Sequence, residues 1–147
     1  MDLWCFFTCS GIDILKENGS LCFIAPNNWT TNSGASKMRN KIIDDAKIIK
    51  MLDFGSYMIF ESADIQTMVM LISKTKCNIE YKFDLRKIKA DKAQIENVLE
   101  LVENIRSINN EFLNPTITKE ILVNKTLTFS SNEKDSILDK IRKNGNQ

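Results

Sequence analysis

The chemistry open to this 147-residue chain is bounded first by a residue it lacks, because histidine is absent altogether. That removes Ser-His-Asp and Cys-His nucleophile pairs, His-based metal sites and imidazole acid–base catalysis. The four cysteines, Cys5, Cys9, Cys22 and Cys77, include no C-x-x-C pair, and three of them sit inside apolar runs. They read as buried free thiols in a reducing compartment, with a four-thiolate metal site as the alternative. Asp53 with Glu61 or Asp64 is an imaginable acid pair for hydrolysis. An Asp at a strand end is, however, commonly a turn or capping group, and a Mg-dependent nuclease needs a carboxylate cluster with a supporting Lys on one face. No metal site is expected from these residues.

Two further sets of residues carry polar or aromatic chemistry. In the loop Pro26-Asn27-Asn28-Trp29-Thr30-Thr31-Asn32-Ser33-Gly34, amides and hydroxyls follow an apolar run, the position at which open α/β sheets place ligands. Ser33-Gly34 at a helix start, with Lys37 and Arg39 just behind, fits either an anion site made by free backbone N–H groups or a plain N-cap beside a solvated basic face. Phe60 stands in a polar stretch and is either a loop anchor packed in the core or an exposed stacking ring.

The elements that must position these residues follow from periodicity. Leu3, Phe6, Phe7, Ile14 and Leu15 recur at helical spacing, and Asn18-Gly19 supplies a left-handed stop, which predicts a helix over 2–18 with that stripe facing the core. Leu21–Ala25 is a short apolar run closed by Pro26, which predicts a strand buried on both faces. Met38, Ile42 and Ile43 mark a helix over 35–45, capped by Asn32 or Ser33. Ile48–Phe54 and Thr67–Ile72 predict two more strands, too close for a helical crossover and hence an antiparallel hairpin that ends the sheet.

Beyond Ser73 the character changes. Residues 74–92 hold seven basic and three acidic side chains, a local +4, around the alternation Ile79 to Leu85, which reads as an exposed edge strand guarded by Lys, with a DNA track as the alternative. Ile95, Val98, Leu99, Val102 and Ile105 predict an amphipathic helix over 91–107. Residues 109–131 read as an irregular connector, and Ser131 opens a last short helix. Over the whole chain, 20 basic against 19 acidic residues leave +1, so no global field favours nucleic acid or membrane. With 43% hydrophobic and 27% charged residues and no membrane-spanning run, the chain is expected to be soluble and cytoplasmic.

Several of these runs, in this order, resemble one family. Asp2-Leu3-Trp4-Cys5-Phe6-Phe7, Leu15 through Trp29, Thr31 through Arg39, Asp53-Phe54-Gly55, Ile59-Phe60-Glu61-Ser62-Ala63 and Ile65-Gln66-Thr67 are similar to the middle of the TaqI-type adenine-specific DNA methyltransferases, which include fused type IIG restriction-modification enzymes. The resemblance covers about residues 2–73, half the chain. It implies methyl transfer from S-adenosylmethionine to the exocyclic amine of a flipped adenine. It further implies that Phe60 stacks on that base and that Phe7 lies near the cofactor adenine while also suiting core packing; at such a site the polar loop and basic helix start, Asn27, Asn28, Trp29, Ser33, Lys37 and Arg39, would meet DNA. The family's glycine-rich cofactor turn and its Asn-Pro-Pro-Tyr loop occur nowhere in this sequence.

The expectation is therefore an α/β fold: the C-terminal half of a Rossmann-like methyltransferase sheet with a terminal antiparallel hairpin, plus a helical connector. Residues 1–73 would form the partial catalytic domain, and 74–147 the basic edge strand, helix and connector towards a target-recognition domain. Such a chain would be inactive alone, with no catalytic residue of its own, and would be either an incomplete gene product or one half of a split enzyme whose partner chain supplies the cofactor turn, the catalytic loop and the sheet's other strands. A noncatalytic DNA-binding or interaction module on the same fold is the alternative.

Overall fold

The computed structural model describes residues 2–76, 80–118, 126, 127 and 129. Helix α1 (Leu3–Ile14) stops four residues before the expected end, because Leu15 is extended and Asn18 takes a left-handed φ of 62° before Gly19. Lys74 then closes the helix, its Nζ donating to the Asp13 and Leu15 carbonyls at 2.9 and 2.8 Å. Cations suit a helix C-terminus because the last carbonyls lack intrahelical partners. The stripe that faces inward is Cys5, Thr8 and Ile12, flanked by Trp4 and Cys9, not the one expected. Leu3, Phe6, Phe7 and Ile14 are exposed. Helical spacing generates both stripes, and the smaller side chains are the ones that pack under the sheet.

Strand β1 (Ser20–Pro26), helix α2 (Ser36–Asp45), strand β2 (Lys47–Asp53) and strand β3 (Thr67–Ser73) form where periodicity places them. Asn32 caps the approach to α2, its Oδ1 accepting from the Gly34 amide at 2.8 Å. β2 and β3 pair antiparallel as expected, but β3 also pairs antiparallel with β1 and so lies between two strands that run the same way. The hairpin does not end the sheet. A β1–α2–β2 crossover leaves a gap one strand wide, and β3 fills it.

The expected edge strand is interior. Strand β4 (Tyr81–Lys82) pairs only with strand β7 (Thr116–Ile117), whereas strand β5 (Asp84–Ile88) runs parallel to β2 and antiparallel to strand β6 (Asn110–Leu113), giving the order β1-β3-β2-β5-β6. A basic strand tolerates this because each guanidinium nitrogen of Arg86 has a partner: Nε and Nη2 bond Asp84, Nη1 donates to the Leu101 carbonyl at 2.9 Å, and the group lies over the Phe112 ring. The supposed connector over 109–131 thus contains β6 and β7. Helix α3 (Ile95–Val102) is shorter than expected, opened by a Gln94/Asn97 capping box. It buries Asn97, Val98 and Leu101 and leaves Ile95, Leu99 and Val102 exposed, as is Ile105 beyond its end. The helix expected from Ser131, and Cys77, lie outside the described residues.

Alternation along β3 separates two cores. Met68, Met70 and Ile72 meet Ile12, Met38 and Ile42 beneath α1 and α2, while Val69 joins Leu52, Phe54, Ile88 and Leu101 beneath α3. β1 is the margin of the sheet rather than a strand buried on both faces: among the described residues its outer edge has no partner, and Cys22 and Ile24 are exposed. Among those residues no helix is long and apolar enough to cross a membrane.

Gly55 fixes the exit from β2. Its φ is +57°, and a Cβ would stand 2.6 Å from the Ile88 carbonyl oxygen. Gly55→Ala is therefore expected to lower the unfolding free energy by about 2 kcal/mol or more, read as a lower denaturant midpoint at unchanged m-value.

Candidate functional site

β1 and β2 run in the same direction, so both deliver their carboxyl ends to one rim of the sheet, and β3 begins there. The register sets Pro26 opposite Thr67 and Asp53 opposite Met68. Two loops leave this rim: residues 27–35, entering α2, and residues 54–66, between β2 and β3.

A single carboxylate ties them. Asp53 Oδ1 accepts from the Asn27 side-chain amide at 3.2 Å and from the Gly55 backbone amide at 3.1 Å. The second contact is the Asx turn expected of a strand-end aspartate. The Asn27 backbone amide also donates to the Gln66 carbonyl at 3.0 Å, so the first loop is stitched to the end of the second. Asp53 is thus a structural tie. Glu61 and Asp64 are exposed, and among the described residues no group of three carboxylates or thiols could hold a metal ion.

Trp29 and Arg39 require correction. Trp29 is 0% exposed, its indole N–H pointing at the Met68 sulfur at 3.0 Å, and so it anchors the loop in the core. Arg39 is 2% exposed and reaches back from α2 to the carbonyls of Trp29 and Asn32. Burial draws its pKa down from the ordinary guanidinium value, yet guanidinium remains charged in proteins. Both side chains are withdrawn from any surface that DNA could meet, because the loop's own turn needs them beneath it. The sequence signal for Arg39 was its place in the Met38–Ile42–Ile43 stripe, one helical turn from apolar neighbours.

What the clamp presents outward is Asn28, Thr31, Ser33 and Lys37, all exposed, with Asn27 half-buried. The Gly34 amide is taken by Asn32, which caps the short turn Ser33–Ala35 ahead of α2, while α2 itself begins without a side-chain cap. In the second loop Tyr57 and Ile59 turn into the core beneath α3, whereas Phe60 is 46% exposed and belongs to neither core. The loop is anchored by its neighbours and leaves this ring free. Phe7, 55% exposed on the outer face of α1, is not a core residue either. The described residues do not make a cradle for S-adenosylmethionine: Phe7 is one ring on an open face, and the sequence has no glycine-rich turn.

Periodicity gave no hint of Thr67, whose hydroxyl is buried at the strand rim without a hydrogen-bond partner among the described residues.

Residues 1–60 match the Eco57I restriction-modification methylase family. No curated protein matches the chain by sequence. Among solved structures, it is similar to a chain of a type I restriction-modification system, studied for its complex assembly and conformational transition, with a TM-score of 0.60 at 11% identity over 95% of this chain and 37% of that one. It is likewise similar to the type IIG restriction endonuclease BpuSI, with a TM-score of 0.58 at 12% identity over 95% of this chain and 17% of that one. The mixed α/β fold described here is thus shared with restriction-modification proteins, of whose length this chain spans well under half.

The clamp makes a mutational contrast. Arg39→Met strands the buried Trp29 carbonyl and takes one of two donors from the Asn32 carbonyl, which keeps the Ala35 amide, and is expected to cost about 2 kcal/mol of stability, whereas Lys37→Ala, on the exposed face of the same helix, should stay within about 0.5 kcal/mol. Denaturant unfolding of the two variants checks this.

Proposed function

We propose that this chain is the carboxyl-side part of an adenine-specific DNA methyltransferase domain of a restriction-modification system, acting in the cytoplasm. Residues outside this sequence would supply the S-adenosylmethionine turn and the Asn-Pro-Pro-Tyr loop. The observation that carries this reading is the β1 margin. Its outer edge has no partner among the described residues, and beside it stand exposed Cys22 and Ile24. An open row of N–H and C=O groups flanked by apolar side chains is a surface that a complete sheet would pair and cover. The exposed Phe6 and Phe7 of α1 extend the apolar surface left uncovered. The methylase match over residues 1–60 agrees with this reading.

In this arrangement the chain's own residues bind and orient rather than react. Phe60 would stack on an extrahelical adenine, a contact worth about 1–3 kcal/mol. Asn28, Ser33 and Lys37, with Asn27 behind them, would meet the sugar-phosphate backbone, fixing register without reading sequence. The Asp53 tie would hold the stacking loop and the phosphate-contact loop at a constant separation, which is how a rigid scaffold makes a flipped base productive.

The test mixes the full chain with a polypeptide that carries the two missing motifs, such as the product encoded immediately upstream, and measures methyl incorporation into adenine of duplex DNA. The expected result is a stable complex that methylates, in which alkylation of Cys22 is slowed. Phe60→Ala should reduce turnover about tenfold or more without weakening the complex. A soluble complex that incorporates no methyl group overturns the enzyme reading in favour of a noncatalytic DNA-binding module, and equal losses of turnover and complex stability would make Phe60 a packing residue.

A further inference from the structure

At the carboxyl ends of the parallel strands β2 and β5, apart from the β1 margin, the fold forms an open pocket of about 210 Å³. Its polar wall is Thr30, Thr31, Asp53 and Lys87, and its apolar wall is Met68, Leu85, Leu127 and Phe129. The wall is tied together by the Leu127 amide donating to the Thr30 carbonyl at 2.7 Å and by Lys87 Nζ donating to the Phe129 carbonyl at 3.2 Å. Pockets for drug-sized ligands run to roughly 300–1,000 Å³, so this one has room for a single small ring system.

The hydrogen-bonding inventory narrows its chemistry. Thr30 and Thr31 each spend their hydroxyl proton on a backbone carbonyl, those of Asn27 and Asn28, which leaves their oxygens as acceptors. Asp53 uses Oδ1 for the two loops, and its Oδ2 has no partner among the described residues. Lys87 has N–H groups to spare after its bond to Phe129. Asp53 and Lys87 are register partners on β2 and β5, yet they make no ion pair among the described residues. The pocket therefore offers several acceptors and one cationic donor between apolar walls. A phosphate would meet a carboxylate and two hydroxyl oxygens against a single ammonium. A flat ring carrying an amino group and a ring nitrogen satisfies both kinds of group at once, with the Phe129 side chain in the wall beside it.

We propose that this pocket binds a single amino-bearing nucleobase, whose exocyclic amine donates to Asp53 Oδ2 and a threonine hydroxyl while a ring nitrogen accepts from Lys87. This site is additional to the Phe60 loop, and its occupancy does not depend on methyl transfer.

The experiment titrates the ¹⁵N-labelled full chain with adenosine, with inosine, which carries a carbonyl in place of the amine, and with inorganic phosphate, following the Thr31, Lys87 and Leu127 amides. Adenosine is expected to shift these amides and to bind about tenfold or more tightly than inosine, because a site built around an N–H donor rejects the analogue without it; phosphate should leave them unmoved. Asp53→Asn keeps the Oδ1 acceptor for Asn27 and Gly55 but turns the free oxygen into a donor, so it should weaken adenosine about tenfold. Thr31→Val, at an exposed position that the fold does not need, should weaken adenosine about threefold or more and so supplies a second reading if Asp53→Asn unfolds. Inosine binding as well as adenosine, phosphate moving the same amides, unchanged adenosine affinity in Thr31→Val or in a folded Asp53→Asn, or no response to adenosine would each overturn the proposal.

Discussion

Strand β3 is hydrogen-bonded along both edges, to β1 on one side and β2 on the other, and the candidate site depends on that arrangement. With β3 antiparallel to both, β1 and β2 must point the same way and end at the same rim. The register then brings Pro26 and Asp53 level with the first residues of β3. Only with this spacing can the Asn27 amide reach the Asp53 carboxylate. Moving one strand by a single residue would turn Met68, Met70 and Ile72 out of the larger core and Val69 into it, so burial on both faces locks the register.

The same constraint decides where polarity is spent. Beneath the sheet rim the chain buries Arg39, and beneath α3 it buries most of Arg86, each directed at backbone carbonyls, those of Trp29 and Asn32 for the first and of Leu101 for the second. A buried guanidinium is tolerable when hydrogen bonds satisfy it, and costly when they are removed. Meanwhile large apolar side chains, Phe6, Phe7 and Phe60 among them, remain in contact with solvent. This pairing of two guanidiniums inside with three phenylalanines outside marks surfaces kept for something other than the chain's own stability. On the proposed reading the β1 margin and the outer face of α1 are for sheet completion, and Phe60 is for a base.

The loops at the rim are held from below and left open above. Trp29 and Arg39 clamp the first loop, while Tyr57 and Ile59 anchor the second, so their exposed groups project from a fixed base. Ordering the loop in advance lowers the entropy cost of meeting a ligand. This division explains why residues adjacent in the sequence, such as Asn28 and Trp29 or Ile59 and Phe60, have opposite roles.

By itself the sequence determined the features that neighbouring residues decide: the existence and type of α1, α2 and the first three strands, a cap at Asn32 or Ser33, the Asp53 turn and a left-handed turn at Asn18-Gly19. These depend on periodicity and on hydrogen bonds spanning two to four residues, which a linear pattern records. Tertiary structure alone decided which stripe of α1 is buried, that β3 sits between β1 and β2, that a lysine-rich segment becomes the interior strand β5, and that Trp29 and Arg39 face inward while Phe60 faces out. Each of those outcomes is set by a partner far along the chain, such as Met68 for Trp29 or Leu101 for Arg86. Polar groups are buried where such partners satisfy them, and local spacing carries no record of which distant atoms will be there.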